Sequence, residues 1–218
     1  MEPQFWHNRW HSGQIGFHQA SVDGSLLRHW QDLALPRSSR VFVPLCGKSL
    51  DLLWLGNQGH AVTGVELSDF ALQAFCVENG VPTRRRHALP FDIYESANLQ
   101  LFGGDFFALT SAILGNVAAV YDRAALISWA PELRARYVEH LTAITAPGTE
   151  TLLVTVEYPQ AQAPGPPFSL NGGEIRRLYS GRYSIRELDR RDILDSEPRM
   201  RTRGISSLSE VCYRLTRL

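Results

Sequence analysis

One stretch constrains this chain more than any other: Arg40 to Ser68, RVFVPLCGKSLDLLWLGNQGHAVTGVELS. Val41 to Leu45 is a short apolar run that stops at the small-residue turn Cys46-Gly47-Lys48-Ser49, which predicts a buried strand entering a tight loop. Leu50, Leu53 and Trp54 then recur at helical spacing as far as Gly56 and Gly59, and a second apolar run, Ala61 to Val65, ends in Glu66. Strand, glycine turn, helix, strand and acid form the first half of a nucleotide-binding βαβ unit. Gly47 lets a ligand approach the backbone, and a carboxylate at the tip of the second strand is placed to accept both hydroxyls of a ribose. The turn lacks the G-x-G-x-x-G that admits a pyrophosphate, because Pro44, Leu45 and Cys46 stand there. The expectation is a cofactor with a ribose and no phosphates, S-adenosylmethionine. The alternative is a polar strand end beside a plain turn glycine.

The 218 residues suit a single α/β domain, long enough to bury roughly 70% of the surface the unfolded chain exposes. Twenty-two basic residues balance 22 acidic ones, so no global field draws the protein to nucleic acid or a membrane, and a small-molecule partner is expected. Cys46, Cys76 and Cys212 are odd in number and widely spaced, which fits a reducing compartment. No apolar run approaches membrane-spanning length, and Glu2, His7, Arg9 and His11 stand where a signal peptide needs an apolar core; a cytoplasmic location is expected. Lys48 is the only lysine. A Walker-type loop would need a glycine where Phe42 stands, so a turn contact or a cofactor-carboxylate contact is expected of Lys48 in place of a phosphate.

Elsewhere the chain offers further candidates. Trp6 and Trp10 share a helix face ahead of Gly13 and Gly16, either as a lid over a cofactor pocket or as packing for the arm. His7 and His11 have metal-ligand spacing but no third ligand, and no metal is expected. Arg84 to Arg86 reads as a solvated charged face and Tyr94 to Asn98 as loop. After a strand at Leu99 to Phe102, Asp105 and Phe106 either flank an adenine or form a capped glycine turn. Val117 to Tyr121 is a strand whose end lies across the crevice from the Gly47 turn, so Arg123 is either a cation at the site or half of a structural Asp122–Arg123 pair. Pro131 to Ile144 is an amphipathic helix with Leu133, Tyr137, Leu141 and Ile144 on one side, residues 159–173 form a long loop of the kind that covers active sites, and Glu210 to Leu218 is a closing edge strand.

With those residues in view, the sequence resembles the thiopurine S-methyltransferase family, particularly its bacterial members. The likeness covers nearly the whole chain: FW-x-x-RW-x-x-G and FHQ at the start, VPLCGKSLDL-x-WL, GH-x-V-x-GVELS, GDFF, YDRAAL and PGPPFS. It implies a Rossmann-like class I methyltransferase fold, a mostly parallel seven-stranded sheet with helices on both faces, an antiparallel C-terminal edge, and an N-terminal arm and helix over 1–35 covering the cofactor. It implies that Trp10, Leu45, Glu66, Asp105, Phe106 and Arg123 contact S-adenosylmethionine, that Phe17 and Arg199 lie near the acceptor, and that Arg123 positions it and favours the thiolate. The implied reaction moves a methyl group to the sulfur of an aromatic or heterocyclic thiol such as a thiopurine, in a monomer without metal. Selenium or tellurium compounds, or another small acceptor, are the alternative substrates.

Overall fold

The computed structural model describes residues 3–218. The chain forms two compact units, the first ending at Tyr121 and the second running from Asp122 to Leu218. Residues 1 and 2 of the expected arm lie outside the described residues.

The first unit contains α1 (Pro3–His11), α2 (Gly24–His29), β1 (Arg40–Pro44), α3 (Asp51–Asn57), β2 (Ala61–Glu66), α4 (Asp69–Glu78), β3 (Arg84–Ala88), β4 (Phe91–Glu95), β5 (Leu99–Gly103) and α5 (Ser111–Leu114). It also holds most of β6 (Ala119–Arg123), whose last two residues open the second unit. The strand order is β3-β4-β5-β2-β1-β6. β1 runs parallel to β2, with Arg40 opposite Ala61, and parallel to β6, with Val41 opposite Ala119. The order therefore reverses beside β1, as expected of a sheet whose ligands bind at the carboxyl ends of its strands. Val41 and Phe42 are fully buried, which is why β1 is a continuous apolar run with no polar face. Asp23 caps α2 by accepting from the Ser25 and Leu26 N–H groups, and its own N–H donates to Asp51 Oδ1 at 2.8 Å. Tyr121 donates to the other Asp51 oxygen at 3.0 Å, so one buried carboxylate ties the starts of α2 and α3 to β6.

β3 and β4 correct the expectations for residues 84–86 and 94–95, while residues 96–98 are irregular, as expected. The two strands form an antiparallel hairpin that adds to β5, with Arg85 opposite Tyr94 and Ile93 opposite Phe102. Phe91 and Ile93 supply the buried face, while Arg86 pairs with Glu95 at 3.0 Å and Arg85 with Asp69 and Asp92 at 3.1 Å. A charged outer strand is how a sheet edge avoids pairing with another chain. The charge run is solvated, and it is also a strand.

The second unit contains α6 (Pro131–Ile144), β7 (Glu150–Glu157), α7 (Gly172–Tyr179), β8 (Tyr183–Asp192), α8 (Pro198–Thr202) and β9 (Ser209–Arg217). β9 is not the edge. It lies between β7 and β8, antiparallel to both, and buries Val211, Cys212, Tyr213 and Leu215, whereas the longer β8 is mostly exposed. Nine strands are present among the described residues where seven were expected, the β3–β4 hairpin being the addition. Pairing is mixed, since both the hairpin side of the first unit and the strands of the second are antiparallel. The parallel core around β1 and its α/β connections remain Rossmann-like.

Candidate active site

β1 leads into a turn that no ordinary loop sequence would choose. Leu45 adopts a left-handed backbone, φ 49°, and Gly47 follows at φ 54°. A left-handed leucine stores strain, which persists only where neighbours over-determine it. The neighbours here do so: Cys46 N–H donates to the Val65 carbonyl at 3.0 Å, and Gly47 N–H donates to Glu66 Oε2 at 2.9 Å. Glu66 ends β2, is buried, and accepts from Ser68 N–H through Oε1 at 2.9 Å. Burial raises its carboxyl above the usual range, and hydrogen bonds from Ser68, Gly47, Leu67 and the Trp10 indole pull it back down.

Trp10 comes from α1 and is buried over this turn. A Cβ added at Gly47 would lie 3.0 Å from Trp10 Cζ2. The glycine therefore serves both the left-handed turn and the indole above it. Phe17 meets Trp10 edge-on at 5.2 Å and Trp6 at 5.6 Å, and His11 stacks on Phe70 of α4 at 5.0 Å. Gly47→Ala is expected to cost about 1–2 kcal/mol for the left-handed backbone and to displace Trp10 into water. A red-shifted tryptophan emission that disappears when Trp10→Phe is added checks it.

The acceptor oxygens of Glu66 fit a ribose. A carboxylate that already accepts N–H donors accepts hydroxyls equally well, and a ribose diol would take the place of the indole and one amide at Glu66. Lys48 does not point to a cofactor carboxylate; its ammonium pairs with both Glu78 oxygens at 2.7 and 2.8 Å. Asp105 is exposed and caps the 3-10 turn Phe106–Ala108, accepting from Phe107 N–H at 2.9 Å. Phe106 is buried and lies parallel to Phe42 at 6.5 Å, with Phe107 half-buried beside it. Among the described residues no group of three or more His, Cys, Asp or Glu could hold a metal, and His11 Nδ1 is engaged by the His7 carbonyl at 2.7 Å.

In the second unit Arg123 is half-buried at the end of β6, followed by Ala124 at φ 60°. Asp122 is fully buried, and accepts from the Tyr137 hydroxyl at 2.7 Å and from Leu126 N–H at 3.0 Å. Burial pushes its carboxyl up to about 6 against those hydrogen bonds. Because the folded value lies above the unfolded 3.8, the stability this group contributes is complete below about pH 3.8 and is lost as pH rises through about 6. The stability difference between wild type and Asp122→Asn, followed by urea unfolding from pH 4 to 7, should therefore shift against wild type as pH rises. Glu66 moves in the same direction and cancels in that comparison.

The loop over 159–171 is stapled. Tyr158 hydroxyl donates to the Pro167 carbonyl at 2.6 Å, Ser169 N–H to Gln160 Oε1 at 2.8 Å, and Phe168 N–H to the Ile127 carbonyl at 2.8 Å. Tyr158 and Ala163 also pack with Met200 of α8, Ile205 and Leu208. Arg199 neighbours that cluster in sequence and is exposed.

Two features had no part in the sequence reading. Arg134 is completely buried and joins the Trp129 and Ser169 carbonyls to Glu174; its place on the buried stripe of α6 was the available signal. The Tyr137 hydroxyl on Asp122 had no signal beyond an unusually polar side chain on an apolar face.

A family model described as Thiopurine S-methyltransferase (TPMT) matches residues 1–218. A thiopurine S-methyltransferase of Pseudomonas fluorescens (strain Pf0-1) is 45% identical over 215 residues, covering 99% of each chain. Among solved structures, a SAM-dependent methyltransferase from Anabaena variabilis superposes with a TM-score of 0.69 at 13% identity, over 99% of this chain and 95% of that one. A Burkholderia thailandensis 1,6-didemethyltoxoflavin-N1-methyltransferase, solved with bound 1,6-didemethyltoxoflavin and S-adenosylhomocysteine, gives a TM-score of 0.65 at 14% identity over 98% of this chain and 87% of that one.

Proposed function

The chain belongs to the thiopurine S-methyltransferase family, and from that premise we propose its reaction: transfer of a methyl group from S-adenosylmethionine to the sulfur of an aromatic or heterocyclic thiol. The single observation that supports the cofactor reading most is the buried Glu66 carboxylate beside the Gly47 turn and under Trp10. Trp10, Leu45 and Glu66, with Asp105 and Phe106 on the adenine side, are assigned to the cofactor. Arg123 is assigned to both cofactor and acceptor, and Phe17 and Arg199 to the acceptor.

S-adenosylmethionine supplies a methyl group on a positively charged sulfur. Transfer joins the acceptor sulfur to the methyl carbon and frees S-adenosylhomocysteine, the acceptor's proton having left to solvent. Thiolate and sulfonium charges neutralise along the path, so an aromatic wall such as Trp6, Trp10 and Phe17 favours reaction by excluding water. Holding the acceptor in line supplies much of the rest. Arg123 biases the acceptor towards thiolate and orients it; a bond persisting unchanged would hold back the charge-depleted transition state, so it is given no general-base role.

The reading extends to one methyltransferase domain over 1–218 acting as a cytoplasmic monomer. Three buried cysteines without a disulfide among the described residues support a reducing compartment. No helix among the described residues is long and apolar enough to cross a membrane. Calorimetric titration with S-adenosylmethionine, S-adenosylhomocysteine and NAD, followed by labelled-methyl transfer to a thiopurine and to a selenium compound, tests the reading. Binding of neither sulfur cofactor would sink it, and transfer to selenium alone would reassign the acceptor.

A further inference from the structure

We propose that Asp122 and Tyr137 are positioning residues for methyl transfer, acting through the turn that carries Arg123. The inference rests on the role given to Arg123 above. β6 ends at Arg123, Ala124 is left-handed at φ 60°, and the chain enters the 3-10 turn Leu126–Ser128 at once. Alanine has no intrinsic liking for that backbone, so something must hold it there. Asp122 is the clamp. One carboxylate oxygen takes Leu126 N–H at 3.0 Å, beyond the turn, and the other takes the Tyr137 hydroxyl of α6 at 2.7 Å. Residues 123–126 are thereby fixed at both ends against a packed helix. The Ile127 carbonyl, accepting from Phe168 N–H at 2.8 Å, extends the anchorage to the 159–171 loop.

Stability alone does not account for the clamp. A carboxylate with no accessible surface is costly to keep ionised near neutral pH, as the upward push on its proton affinity records. Uncharged side chains of similar size would serve packing better. What the carboxylate supplies, and they would not, is a rigid acceptor for a backbone N–H and a phenol at once, one residue from Arg123. A 1 Å drift of a group that orients a reactant is enough to slow transfer strongly.

The test is a double-mutant cycle on the purified full chain, read as labelled-methyl transfer to a thiopurine together with S-adenosylhomocysteine titration. Tyr137→Phe removes one hydroxyl and keeps the ring that packs α6. It should lower kcat about tenfold while KM and S-adenosylhomocysteine affinity stay within about twofold. In an Arg123→Ala background the same substitution should cause no further loss, because the residue through which it acts is gone. Tyr179→Phe, which deletes a buried hydroxyl without a hydrogen-bond partner among the described residues, should leave kcat unchanged. Should Tyr137→Phe fail to fold, Asp122→Asn is carried through the same cycle, since it turns an N–H donor toward Tyr137. Unchanged kcat, or an equal fold-loss in both backgrounds, would overturn the inference alone. Absence of transfer by the wild-type protein would overturn the reading of Arg123 and this inference with it.

Discussion

Arg134→Met is expected to cost about 3–5 kcal/mol of folding stability, read as the drop in urea-unfolding free energy. The guanidinium has no accessible surface. Its Nη1 lies 2.8 Å from Glu174 Oε1, its Nη2 donates to the Ser169 carbonyl at 3.0 Å, and its Nε donates to the Trp129 carbonyl at 3.2 Å. Methionine fills most of the space but donates to none of them. The variant leaves two carbonyls without their donor and a largely buried carboxylate with the more distant, exposed Arg177 guanidinium at 3.6 Å, and a poorly compensated buried charge is where the large losses arise. Against a total stability of about 5–15 kcal/mol, such a loss takes the variant close to its limit.

The double variant Arg134→Met/Glu174→Leu separates charge from packing. Removing both partners removes the stranded carboxylate, so it should recover part of the single variant's loss despite deleting more polar atoms. If the double variant were less stable than the single, the ion pair would not be the source of the effect. Limited proteolysis should find cleavage of Arg134→Met within 159–171, because Ser169 is where the guanidinium holds that loop.

Local pattern carried the parallel core: β1, the glycine turn, α3, β2 and its terminal acid are contiguous, and their apolar runs, turn residues and helix spacing each reflect nearby physics. The β3–β4 hairpin was hidden because an edge strand is built from the charges that elsewhere mark a solvated loop, with only Phe91 and Ile93 alternating beneath them. Half the residues of β9 are polar, as on an edge strand, but long-range pairing puts it between β7 and β8. Leu133 stands on the predicted stripe of α6, yet Arg134 is the buried neighbour, its charge met by the Trp129 carbonyl five residues back and by Ser169 and Glu174 far along the chain. The partner of Lys48 is as distant, since Glu78 ends α4, the second helix after it. Glu66 and Gly47 were legible as a pair, but the hydrogen bond between them depends on the pairing of β1 with β2, and Trp10 over both on how α1 folds back.

Glu66→Ala should weaken S-adenosylmethionine binding by about 3 kcal/mol, on the order of a hundredfold in Kd, measured by calorimetry. Two hydroxyl donors would each lose a charge-assisted acceptor, worth about 1.5–3 kcal/mol apiece, less what water restores. The carboxylate also braces the site before any ligand arrives: without it the Gly47 and Ser68 N–H groups lose acceptors at 2.9 Å. The thermal midpoint of the unliganded variant must therefore be read beside its affinity, so that a collapsed turn is told apart from a lost contact. Glu66→Gln makes the distinction sharper. Its amide oxygen keeps one acceptor and its volume keeps Trp10 in place, so it should bind about tenfold more weakly than wild type while losing less thermal stability than Glu66→Ala. Were Glu66→Ala to bind with wild-type affinity, the acid at the tip of β2 would be a brace for the Leu45–Gly47 turn alone, and the ribose contact would have to be sought elsewhere in the first unit.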